Sequence, residues 1–127
     1  MMLYVYIALA GAAGALARFG VGKWAYTAFE GKLAMSTLIV NVVGSFILAF
    51  ILAASIAGKE LMPIDMKTAV TVGFLGAFTT FSTFSYETLH FVQIGKPGVA
   101  LGNIGANLFF GLGAGALGIL LGRMMGS

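Results

Sequence analysis

Apolar residues run along the chain in four long blocks, about residues 3–22, 33–57, 67–92 and 98–122. Short polar breaks separate them, GKWAYTAFEGK, GKELMPIDMK and QIGKPG, and these hold most of the charges. A helix needs about 20 mainly apolar residues, rising 1.5 Å each, to cross roughly 30 Å of hydrocarbon. Each block is long enough, so the pattern predicts an all-α membrane protein with four transmembrane helices. Breaks this short leave no room for a soluble module, which makes residues 1–127 a single four-span domain.

The polar residues inside the blocks fall at helical spacing. Thr37, Asn41 and Ser45 share one face of the second block, with Gly44 beside them. Asn103, Asn107, Gly111 and Gly115 stand four apart in the fourth. Glycines on such faces let helices approach closely, and a membrane asparagine can be interhelical glue worth under about 1 kcal/mol. Asn41 reads equally well as glue or as part of a site. Gly11 with Ala15, and Gly14 with Arg18, give the first block a small packing face, and an arginine near a helix end commonly snorkels to the interface. Glu87 is the only acid inside a block. It is either functional or held by a structural hydrogen bond near the boundary.

The third block carries GAFTTFSTFSYE, Gly76 to Glu87, at its centre. Glycine and β-branched threonine both weaken a helix interior, and hydroxyls can bond back to main-chain carbonyls and bend it. The third helix is therefore expected to break near Thr79, midway through the membrane. Freed carbonyls are tolerated there only when buried in protein or lining a polar cavity. A hard cation such as sodium can satisfy several of them. Phe81 and Phe84 share a face beside Ser82, Thr83 and Ser85. Phenylalanines usually serve packing, but a ring edge is weakly positive. Two edges, with donors from Asn41 and a threonine, suit a small anion.

Composition narrows the chemistry. The chain is 60% hydrophobic and 9% charged, with a mean hydropathy of +1.03, against about a quarter charged in soluble domains. No cysteine is present and His90 is the sole histidine, which excludes disulfides and thiolate chemistry and argues against an enzyme. The net charge of +3 is scattered, unlike a nucleic-acid footprint. The first block lacks a small-residue cleavage site and reads as a retained helix. Trp24 and Tyr26 beside Lys23 suit an interfacial belt.

Orientation normally follows loop lysines and arginines. Lys59, Lys67 and Arg123 fall on one side, and Lys23, Lys32 and Lys96 on the other. A tie of this kind predicts insertion in both directions and an antiparallel homodimer; the alternative is that such small loops count poorly. A closed two-fold dimer is the commonest symmetric assembly.

The run GFLGAFTTFSTF, Gly73 to Phe84, resembles the signature of the Fluc fluoride channels. VNVVGSF around Asn41 and GALARF around Arg18 resemble that family's first-half motifs. The resemblance covers essentially the whole chain. It implies an antiparallel dual-topology homodimer with two pores that passively exports cytoplasmic fluoride through the cell's inner membrane. It further implies that the edges of Phe81 and Phe84 face fluoride and that Asn41 donates to it. Ser82 and Thr83 fall in the hydroxyl run beside the pore. Glu87 matches a membrane-embedded glutamate, and Arg18 a structural arginine. The carbonyls of Gly76 and Thr79, from both subunits, match the seat of a central structural sodium that is not transported. Asn103 and Asn107 occupy the fourth-span polar track, which in the family is often built on hydroxyls. Ala77 stands where members often carry a second glycine. The implied partners are fluoride, lipid and a second copy, with no nucleic acid and no other protein. The runner-up is a small multidrug exporter, but such proteins rely on a glutamate in the first span, and here that span has none.

Overall fold

A computed structural model describes residues 1–126. They are helical, with no strand among the described residues. α1 (Met2–Ala28) and α2 (Leu33–Ile56) come first. The third segment is divided into α3 (Ile64–Thr68), a π-helical stretch (Ala69–Leu75), α4 (Gly76–Phe78) and α5 (Phe81–Gln93). α6 (Pro97–Met125) completes the chain. α1, α2 and α6 are each long and apolar enough to cross a membrane. The third predicted span is present, but neither half of it is long enough alone.

Large apolar side chains cover the outside, among them Tyr4, Leu9 and Leu16 of α1 and Leu101, Phe109 and Leu112 of α6. Apolar surface of this extent is stable against lipid or another protein rather than water. α2 is the central helix, with Val40 and Ala54 fully buried, and it packs most extensively on α6. Glycines make that contact possible. A Cβ on Gly118 would lie 2.5 Å from the Phe46 carbonyl oxygen, and one on Gly122 2.6 Å from that of Phe50. Main chain cannot step aside as a side-chain tip can. Gly118→Val is expected to cost at least the 1–3 kcal/mol or so typical of overpacking, read as a lower midpoint of thermal unfolding in detergent.

The second glycine contact is between α1 and the π stretch. Gly14 lies directly on the Phe74 main chain, and a Cβ on Gly73 would lie 2.7 Å from the Ile7 oxygen. The small face expected on α1 is thus used. Gly111 and Gly115 differ from expectation: nothing lies within 4 Å of a Cβ built on either. The packing stripe of α6 begins lower, at Gly118.

The first break also differs from the pattern. α1 runs on through Lys23, Trp24 and Tyr26, because nothing in GKWAYTA stops a helix. The turn falls at Glu30 and Gly31, whose φ angles are 55° and 82°, a region glycine enters without steric cost.

Candidate functional site

The interruption expected near Thr79 is where the site is built. Thr79 (φ −88°, ψ 160°) and Thr80 (φ −151°, ψ 120°) are extended between α4 and α5. Thr79 closes α4 by donating both its N–H (3.1 Å) and its hydroxyl (3.0 Å) to the Leu75 carbonyl. Gly44 of α2 makes room for the Thr79 methyl, which a Cβ there would strike. Thr80 opens α5 as its N-cap: its Oγ1 accepts from the Thr83 N–H at 3.2 Å. Such a cap satisfies one of the donors that a helix start leaves unpaired.

A broken helix exposes main-chain groups, and two side chains from other helices take them up. Arg18 of α1 does not snorkel; its Nε donates to the Ala77 carbonyl at 3.0 Å. Asn41 of α2 bridges Thr80 in both directions. Its Oδ1 accepts from the Thr80 N–H at 2.9 Å, and its Nδ2 donates to the Thr80 carbonyl at 3.2 Å. The second Nδ2 hydrogen goes to Asn107 Oδ1 at 3.1 Å. Among the described residues, no donor reaches the carbonyls of Gly76 or Thr79.

Two cavities meet at this point. One, of about 510 Å³, is lined by Arg18, Lys23, Ser36, Thr37, Thr83 and Glu87 among others. The other, of about 300 Å³, is lined by Asn41, Gly44, Ser45, Gly76, Thr79 and Phe81 among others. Thr80 belongs to both. Cationic side chains line the larger cavity, and hydroxyls stand where the two join: Thr80 Oγ1 donates to Thr83 Oγ1 at 3.1 Å and lies 3.4 Å from Ser82 Oγ. Glu87 faces the larger cavity. Its Oε2 accepts from Thr37 at 3.0 Å, while its buried Oε1 has no hydrogen-bond partner among the described residues.

The Phe81 and Phe84 rings are neighbours, with centroids 5.7 Å apart and planes inclined at 52°. Phe81 is 78% exposed, so its ring contributes little to the packing of this chain. Thr37, Asn41 and Ser45 do form one face, and all three are directed at the third segment. Asn103 and Asn107 line neither of the two cavities. Asn107 Nδ2 donates to the Asn103 carbonyl at 2.9 Å, and Asn103 Nδ2 donates to Thr88 Oγ1 at 2.9 Å.

Thr80 and Thr88 belong to the site's framework although the sequence patterns single out their neighbours. Thr80 carries a readable signal, a threonine three residues ahead of another just after a break, as at a helix N-cap. Thr88 has only its spacing, four residues beyond Phe84 and eight beyond Thr80. Among the described residues no group of histidine and acidic side chains could hold a metal. A cation here would depend on main-chain oxygens.

A family model described as "CrcB-like protein, Camphor Resistance (CrcB)" matches residues 5–119. A protein of Thermosipho melanesiensis is 46% identical over 123 residues, 96% of this chain and 97% of its own length. One from Acidobacterium capsulatum is 41% identical over 122 residues, covering 96% and 97%. A third, from Syntrophotalea carbinolica, is 41% identical over 124 residues, covering 98% and 100%. All three are named "Fluoride-specific ion channel FluC", a channel and not an enzyme. With three helices long and apolar enough to cross a membrane and a third span that is interrupted, the chain is a multi-pass membrane protein that belongs to the CrcB family of FluC channels.

Proposed function

We propose that the chain forms a passive, fluoride-selective channel that exports cytoplasmic fluoride through the cell's inner membrane. The observation that carries this reading is the interruption at Thr79 and Thr80, where the hydroxyls of Thr80, Ser82 and Thr83 cluster beside the neighbouring rings of Phe81 and Phe84. The close relatives bearing a fluoride channel's name support the choice of ion.

Fluoride holds its water tightly, so a selective path must replace that water with many short contacts, each weak enough to release the ion. Arg18 and Lys23 line the larger cavity and raise the local concentration of anions there. Thr80, Ser82 and Thr83 supply hydroxyl hydrogens, and the edges of Phe81 and Phe84 supply a dry, weakly positive lining. Phe81 is exposed in the single chain, as is the backbone at Gly76. A second copy would cover both, and the even loop charges are consistent with an antiparallel one. The free carbonyls of Gly76 and Thr79 fit a sodium ion, with the partner copy doubling their number. Sodium bound there would supply fixed positive charge beside the anion path.

Purified protein in liposomes decides the matter. The expected result is electrical efflux of fluoride, with chloride and a cationic dye retained. Dye transport coupled to protons would replace this reading with an exporter, and absence of any flux would end it.

A further inference from the structure

The three asparagines do more than occupy polar positions in apolar helices; their hydrogen bonds form one unbroken run. It starts at the Thr80 N–H, which donates to Asn41 Oδ1 at 2.9 Å. Asn41 Nδ2 donates to Asn107 Oδ1 at 3.1 Å. Asn107 Nδ2 donates to the carbonyl of Asn103 at 2.9 Å and reaches its Oδ1 at 3.3 Å. Asn103 Nδ2 donates to Thr88 Oγ1 at 2.9 Å, and Thr88 Oγ1 donates to the Phe84 carbonyl at 2.8 Å. The run leaves the main chain of α5 at its N-cap and rejoins it one turn later, having passed through α2 and α6.

The chemistry of the amides makes the run directional. A main-chain N–H can only donate, so Asn41 must turn its oxygen toward Thr80 and its nitrogen toward Asn107. That choice sets the orientation of Asn107. Thr80, Phe84 and Thr88 lie four apart, on one face of α5, as Asn103 and Asn107 do on α6. Both Asn41 hydrogens and the one Thr88 hydrogen are committed to partners within this run. Thr88 is buried and lines neither of the two cavities.

We propose that Asn103 and Thr88, tied through Asn107 to Asn41, act as a positioning brace that holds the first turns of α5 against α2 and α6. The brace sets where the Phe84 ring and the Thr80 and Thr83 hydroxyls stand. Asn103 and Thr88 are positioning residues whose effect reaches the path only through their neighbours. The proposal rests on the reading of the break as the ion path, and it assigns the fourth-span asparagines to the frame of that path.

The test compares wild type with Thr88→Val, Thr88→Ser, Asn103→Leu and the Val/Leu double variant, by fluoride efflux from liposomes and by amide hydrogen exchange in detergent. Members of one hydrogen-bonded network are coupled, so each of Thr88→Val and Asn103→Leu is expected to lower efflux about tenfold, and the double no further than the worse single. Thr88→Ser keeps the hydroxyl and is expected to restore efflux to within about twofold of wild type. Exchange at residues 81–84 is expected to quicken in Thr88→Val and Asn103→Leu but not in Thr88→Ser. Thr88→Ala replaces Thr88→Val if the latter fails to assemble. Losses that multiply in the double variant, or wild-type efflux and exchange in Thr88→Val, would overturn the brace. If wild type itself carries no fluoride, the channel reading falls, and the exchange pattern alone then decides the brace.

Discussion

Asn41→Asp is expected both to destabilise the protein and to abolish fluoride efflux. The substitution is nearly isosteric, and one oxygen can still accept from the Thr80 N–H. The other replaces the nitrogen that donates to the Thr80 carbonyl and to Asn107 Oδ1. Three oxygens then face one another with no hydrogen between them. Leaving a buried polar group unpaired costs about 1–3 kcal/mol, and two acceptors lose their donor, so the change amounts to roughly 2–6 kcal/mol. An aspartate that stays ionised also sets a like charge beside the path of an anion. Thermal unfolding in detergent and liposome efflux check the two consequences separately. A native unfolding midpoint with lost efflux would make Asn41 a donor to the ion instead of the tie across the break. Native behaviour in both would mean that neither role matters.

Phe81→Ile is expected to leave folding intact while lowering fluoride efflux by up to about tenfold. An edge-on aromatic contact is worth about 0.5–1.5 kcal/mol, and 1.4 kcal/mol corresponds to a factor of ten. The ring is 78% exposed, so trimming it removes little packing from its own chain. Isoleucine keeps the site apolar but has no positive edge to offer. Elution in detergent at the wild-type position, set beside efflux in liposomes, is the measurement. Undiminished fluoride efflux from the assembled variant would remove Phe81 from the path. Phe84 is a less clean probe, because its carbonyl is tied to Thr88 and its helix turn is part of the network.

The placement of the interruption at Thr79 was legible because two local signals coincide there: Gly73 and Gly76 before it and paired threonines at it. The four apolar blocks were legible for a simpler reason, since crossing hydrocarbon requires length and little else. The extra turns of α1 were not, because residues such as Trp24 and Tyr26 suit a helix and an interface equally. Its end depends on the backbone at Glu30 and Gly31. The π-helical stretch was hidden too. Its wider turns depend on the fit of Gly73 and Phe74 against the α1 backbone, a contact between residues some sixty apart in sequence. Asn103 and Thr88 are fifteen apart, and they meet only because the chain turns back through Gly95 and Lys96. Periodicity says which face a residue occupies and does not say which helix that face will meet.

The two short residues between α4 and α5 also separate two ends of opposite electrical character. The chain arriving through α4 ends in carbonyls, equivalent to about half a negative charge, and α5 begins in amide hydrogens, equivalent to about half a positive one. A single gap in the backbone can therefore attract a cation on one flank and an anion on the other. Peptide groups supply both partial charges, and unlike an ionisable side chain they do not titrate.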